Sequence, residues 1–325
     1  MSKYRHHLPQ LNNHLFMTDG GLETTLIFHD RVGLPYFAAF DLLKDDKGTA
    51  VLQRYFACYA ELARTHGVGL VLEAPTWRAN PDWAARLGYD SETLADANRK
   101  AISLLLKIRA QYETPQTRIV ISGNIGPRGD GYKPGACMSA SEAEGYHTPQ
   151  VASFAQTDAD MVAAFTMNYV EEAIGIAAAA KACEMPLALS FTLETDGCLP
   201  SGQTLAEAIT RTDEASDGYP VYYMINCAHP THFEHVLRGD GAWLQRIRGL
   251  RANASRRSHA ELDESTDLDA GDAEELGLLY GALRTTLPRL SVVGGCCGTD
   301  HRHVDSICRV MRGMRWVDSR HSAQV

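Results

Sequence analysis

No apolar run reaches the roughly 18–20 residues that a membrane-spanning helix needs. Positive charge is also short: the formal net charge is −9, which disfavours nucleic acid or an anionic membrane surface as the main partner. There is no glycine-rich loop ending in Lys-Ser or Lys-Thr, so the usual cradle for a nucleoside triphosphate is missing. The opening Met1-Ser2-Lys3-Tyr4-Arg5-His6-His7 is polar, and no apolar signal core follows it. The eight cysteines lack the spacing of a small disulfide scaffold. These absences predict a cytoplasmic chain whose thiols stay reduced and free for metal or chemistry. No internal repeat, low-complexity tract or composition break divides it.

What is present is ordinary in bulk and informative in order. The 325 residues are 45% hydrophobic and 22% charged, enough for a large core in one large domain or two smaller ones. A first apolar strand starts at Leu15 and ends in Asp19-Gly20-Gly21. Further short apolar runs lie at 68–72, 118–122, 160–165, 186–192, 221–226, 247–252 and 290–294. Helical spacing or end signals predict helices over 49–66, 91–112, 170–183, 204–211, 273–287 and 301–311. Thr231-His232-Phe233-Glu234 reads as a capping box opening another. The segment 255–272 is charged and polar and is expected to be a mobile loop, with the acidic residues from Glu261 to Glu275 solvated.

Eight strands alternating with helices over this length predict an α/β fold, a single-domain (β/α)8 TIM barrel spanning 1–325. A doubly wound open sheet is the second choice. In the barrel, Asp19, Glu73, Asn124, Glu194, Asn226, Cys227, Asn253, Cys296 and Cys297 all follow strands and gather at one face.

Cys296 and Cys297 sit in Val292-Val293-Gly294-Gly295-Cys296-Cys297-Gly298-Thr299-Asp300, a buried strand, a glycine turn and a helix start. Vicinal thiols make a strained disulfide but suit a soft metal. Cys227 ends another apolar strand and offers a third thiol. Three thiolates with no obvious fourth ligand describe an open zinc site. A closed structural site would need one more ligand, and His229 is the nearest candidate. Cys58, Cys183 and Cys308 lie on predicted helices and read as small hydrophobes; Cys137 and Cys198 read as loop thiols.

These motifs resemble the zinc-dependent homocysteine S-methyltransferases. The likeness is carried by Asp19-Gly20-Gly21, Gly123-Asn124-Ile125-Gly126-Pro127, Asn226-Cys227 and Gly294-Gly295-Cys296-Cys297-Gly298-Thr299. It implies a (β/α)8 barrel in which Cys227, Cys296 and Cys297 bind Zn2+ and serve catalysis. It also implies that Asp19, Gly20 and Gly21 contact a thiol substrate, most simply homocysteine becoming methionine. Asn124 and Asn226 join the expected substrate-binding set.

One departure stands out. The family's fourth strand ends in a glutamate and a threonine, and that glutamate holds the substrate amino group; here the pair is Phe165-Thr166. Either Glu73 or Glu194 substitutes, or the acceptor is a different thiol. The expected partners are a small-molecule thiol and a methyl donor: S-methylmethionine, S-adenosylmethionine or a betaine. Trp77, Tyr132, Phe37 and Tyr36 are placed to face an onium donor. No cobalamin or folate module is expected. A zinc lyase or hydrolase, or a zinc-binding barrel without activity, remains as an alternative.

Overall fold

The computed structural model describes residues 1–12 and 14–314. Eight parallel strands follow one another round a closed barrel. They are β1 (Phe16–Met17), β2 (Gly69–Glu73), β3 (Ile119–Ile125), β4 (Met161–Met167), β5 (Leu187–Thr192), β6 (Tyr222–Asn226), β7 (Ile247–Ala252) and β8 (Val292–Gly295). Closure is made by β1 beside β8, with Phe16 opposite Val292. The strands read as continuous apolar runs because both of their faces are covered. All five residues of β2 and all seven of β4 are buried.

One main helix follows each strand: α1 (Asp46–His66), α2 (Ser91–Tyr112), α3 (Ala140–Ala155), α4 (Val170–Ala182), α5 (Leu205–Ser216), the short α6 (Pro230–Phe233), α7 (Ala273–Thr286) and α8 (His301–Gly313). Leu52, Phe56, Leu105, Ile176 and Ile307 belong to the layer between helices and strands. Leu8, Val71, Val120, Met161, Tyr222 and Val292 form a separate cluster with Phe165. The amino-terminal segment ties in below it. Tyr4 N–H donates to Asp160 (2.7 Å), and the buried Asp160 pairs with Arg109 at 2.6 Å. That lower face supports stability and leaves the carboxyl ends of the strands for chemistry.

The barrel expectation holds, and the open sheet does not. Two strands run further than the sequence suggests. β3 continues through Asn124, and β4 passes through Phe165 and Thr166 with a break in register. The capping box at Thr231 does not form. The helix α6 starts at Pro230, two residues earlier than that box implies, and the His229 side chain accepts from Thr231 N–H instead. The segment 255–272 is not bare loop: it carries a helix, His259–Asp263, opened by a Ser258/Glu261 capping box. Among the described residues, no helix is long and apolar enough to cross a membrane.

Candidate metal and substrate site

β6 and β8 deliver three thiols to one point. The Sγ atoms of Cys227, Cys296 and Cys297 all lie within 4.8 Å of one another. β7 holds both loops in place: Cys227 N–H donates to the Arg251 carbonyl (3.1 Å), and Cys296 N–H donates to that of Ala252 (2.8 Å). The Cys227 and Cys296 sulfurs are in direct contact, with their Cα atoms 5.5 Å apart. Cys227 has φ at 54°, a left-handed conformation that costs roughly 1–3 kcal/mol for a residue with a side chain. The fold sustains that strain where it aims the thiol.

The donor set fits zinc. Three soft, convergent thiols match its preference, and a cation there reverses the burial that pushes the Cys297 thiol up. Among the described residues, no histidine, aspartate or glutamate joins the three-cysteine group. His229 is not a fourth ligand in this arrangement. Its Nδ1 contacts Thr231 Oγ1 at 2.8 Å, and burial takes its pKa down to about 4.

Beside the cysteines is a cavity of about 580 Å³. Of the residues expected to bind substrate, Asp19, Gly20, Gly21, Glu73, Asn124 and Asn226 all line it. Gly21 has to be glycine, because a Cβ there would come within 2.6 Å of the Cys296 carbonyl oxygen. Asn226 acts as a clasp. It accepts from Thr166 N–H (2.9 Å) and Ser190 Oγ (2.6 Å) and donates to Thr166 Oγ1 (2.9 Å), joining β4, β5 and β6. Glu194 departs from expectation. It is absent from the cavity lining and instead pairs with His259 Nδ1 at 3.1 Å, from the turn after β5.

Two residues emerge that the sequence did not single out. Arg251, in β7, is 8% exposed. Its Nη2 lies 2.6 Å from Asp19 Oδ1 and donates to the Gly20 carbonyl (3.0 Å), while Nε donates to that of Gly295 (3.0 Å). One guanidinium thus ties the loop after β1 to the glycine before the cysteine pair. Tyr55 OH donates to the other Asp19 oxygen at 3.0 Å. The second residue is His259, whose Nε2 bonds the Cys227 carbonyl. Its ring lies 4.0 Å from that of Tyr132, and the Tyr132 hydroxyl sits 3.7 Å from Cys297 Sγ. The segment expected to be mobile therefore meets the loop after β3 over the cysteines. Leu262, Asp263, Leu268 and Asp269 from that segment also line the cavity. An arginine in an apolar strand was the one legible hint of Arg251; His259 had none.

The aromatic rim differs from expectation too. The Arg78 guanidinium lies 4.1 Å from both the Trp77 and Trp83 rings, and Arg86 lies over Trp83 and Tyr36 at 4.5 and 5.7 Å. Cations of the protein itself already occupy ring faces expected to meet an onium donor.

Glu73 is 3% exposed, and burial pushes its carboxyl up to about 7 from 4.5. Folding therefore favours its neutral form. The stability this contributes is complete below about pH 4.5 and is lost as pH rises through about 7, up to about 3 kcal/mol. Glu73→Gln keeps the neutral shape and has no such loss. The variant should gain on the wild type by that order between about pH 5 and about pH 8, read by urea denaturation. An unchanged gap between the two proteins would show that Glu73 is already ionised in the fold.

The sequence matches the homocysteine S-methyltransferase family over residues 16–311. No curated protein matches it. Among solved structures it is similar to the homocysteine methyltransferase MmuM from Escherichia coli. The oxidised form of that protein is 19% identical at a TM-score of 0.70, covering 90% of this chain and 94% of that one. The metallated form is 17% identical at a TM-score of 0.69, covering 92% and 97%. These likenesses show the shared barrel, and the sequence match extends through all eight strands. The chain belongs to the homocysteine S-methyltransferase family.

Proposed function

We propose that the protein is a zinc-dependent S-methyltransferase that moves a methyl group from a sulfonium or betaine-type donor to homocysteine. The convergence of Cys227, Cys296 and Cys297 on the cavity carries this reading. Zinc, when held by these three thiolates, supplies a lowered pKa for the acceptor thiol, which is otherwise a weak nucleophile at neutral pH. The remaining work falls to the chain. Arg251 and Asp19 hold the loops after β1 and β8 in fixed relation, which orients the acceptor. Tyr132, packed against His259, covers the Cys297 sulfur and excludes water from the nucleophile.

Phe165 cannot pair with the acceptor's ammonium, but the cavity offers other acceptors. Among the described residues, Glu73 Oε2, Asn124 Oδ1 and Asn253 Oδ1 are buried without a hydrogen-bond partner, and all three residues line the cavity. An ammonium brings three donors. Glu73 is therefore our substitute for the missing acid, and Glu194, engaged with His259, is not. A reducing compartment such as the cytoplasm suits three free thiols.

A second reading rests on Phe165 itself. Its ring lines the cavity with the Arg251 guanidinium 5.1 Å away, which suits a thiol without an amino group. One experiment separates the two. Metal content is measured, and homocysteine and other thiols are offered with S-methylmethionine, S-adenosylmethionine and betaine, with products read by mass. Zinc near one per chain and transfer to homocysteine are expected. Transfer only to another thiol would favour the second reading. Bound zinc with no transfer to any thiol would overturn both and favour a lyase, hydrolase or inactive barrel.

A further inference from the structure

Among the described residues, Arg78 is a buried cation without an ion-pair partner. It is 7% exposed and lines the large cavity. Among the described residues, its one hydrogen bond is from Nη1 to the Gly129 carbonyl (2.9 Å), and its buried Nε has no partner. The guanidinium carbon lies 4.1 Å from the ring centres of both Trp77 and Trp83. Asp130 and Glu23 act on it electrostatically, and neither closes an ion pair with it. Asp130 Oδ1 is spent on the N–H groups of Tyr132 (2.8 Å) and Lys133 (3.0 Å). Burial takes the arginine down to about 10, so it remains charged at neutral pH.

A buried charge is expensive unless it is paired. Arg78 lines the cavity, which leaves room there for the missing partner. The neighbouring Arg86 adds a second positive charge to the same wall. The same stacking removes the Trp77 and Trp83 faces from use as a cage for an onium group.

We infer that Arg78 is a specificity-determining residue that anchors the carboxylate of a small-molecule substrate through the part of its guanidinium not bonded to Gly129, beside Trp77 and Trp83. The planar guanidinium fork fits a carboxylate in two-point contact. Two sources share that chemistry: the acceptor thiol and the methyl donor. The identity of these molecules rests on the function proposed above, whereas binding of the carboxylate requires no turnover.

The test is tryptophan fluorescence titration of the metal-containing protein, since any group reaching Arg78 arrives beside two indoles. The probes are homocysteine and S-methylmethionine, each beside its carboxamide. The wild type should bind at least one acid roughly ten- to a hundredfold more tightly than its amide, the range for a charge-assisted hydrogen bond. Preference in the homocysteine pair identifies the acceptor as the source, and preference in the S-methylmethionine pair identifies the donor. Arg78→Met keeps the apolar stem and should erase the preference; Arg78→Lys should keep part of it. No preference in either wild-type pair, or a preference that survives in Arg78→Met, overturns the inference. If Arg78→Met does not fold, the wild-type pairs and Arg78→Lys still decide. Methyl transfer with equal use of acid and amide would sink the anchor and leave the proposed function intact. Acid preference without methyl transfer would do the reverse.

Discussion

Cys296→Ser and Cys297→Ser should each lose bound zinc and methyl transfer together while the barrel stays folded. Serine preserves size but replaces a soft thiolate with a hydroxyl that zinc binds poorly at neutral pH. With only three protein ligands in the group, losing one leaves two. Metal content should fall from about one per chain towards zero after dialysis. Turnover should fall by more than roughly a hundredfold, the upper range for disturbing even a ligand's supporting partner. Folding should survive because the cysteine pair lies beyond the main core, which is built from residues such as Leu70, Ile121, Phe191 and Leu250. Circular dichroism and metal analysis on the same samples provide the check. Full zinc occupancy in both variants would remove the three-cysteine site.

Breaking the Arg251–Asp19 pair should cost about 3–5 kcal/mol of stability, because the survivor is a buried charge without its partner. Arg251→Met also leaves the Gly20 and Gly295 carbonyls without their donor. Gly295 directly precedes Cys296, so the metal site should loosen with the loop, and zinc should dissociate faster under a chelator. Asp19→Asn should destabilise comparably and also weaken acceptor binding. The double variant should recover part of the loss, since neither charge is then stranded. Urea denaturation of the four proteins gives the coupling energy. Single variants within about 1 kcal/mol of the wild type would show that the pair is not a structural tie.

The glutamine variant of Glu73 probes the same group of charges from the other side. Asp19 raises that carboxyl and Arg251 lowers it, after burial has set the main shift. A stronger or weaker Arg251–Asp19 pair would therefore move the pH window predicted for Glu73.

Much of this was legible in the chain. Parallel strands buried on both faces write themselves as unbroken apolar runs, so all eight were found within a few residues. α3 was missed for a related reason. It contains Gly145 and Pro149, and it packs against α4 where a Cβ on Gly175 would come within 2.5 Å of the Ala140 carbonyl oxygen. A helix covered that closely shows little amphipathic contrast. The end of β4 was misplaced because its register break depends on Asn226, sixty residues away, holding Thr166.

The sequence by itself determined the barrel, the three cysteines and the acid turn at Asp19, because each is a local pattern: a run, a strand end, a glycine that must stay small. Only the tertiary structure decided that Arg251 is the tie and His259 part of the cover, and that Glu194 pairs with His259 instead of lining the cavity. Arg251 reaches a carbonyl 231 residues distant, and Glu194 meets His259 across 65. Contacts at such separations follow from the closure of the barrel, and no spacing along the chain encodes them.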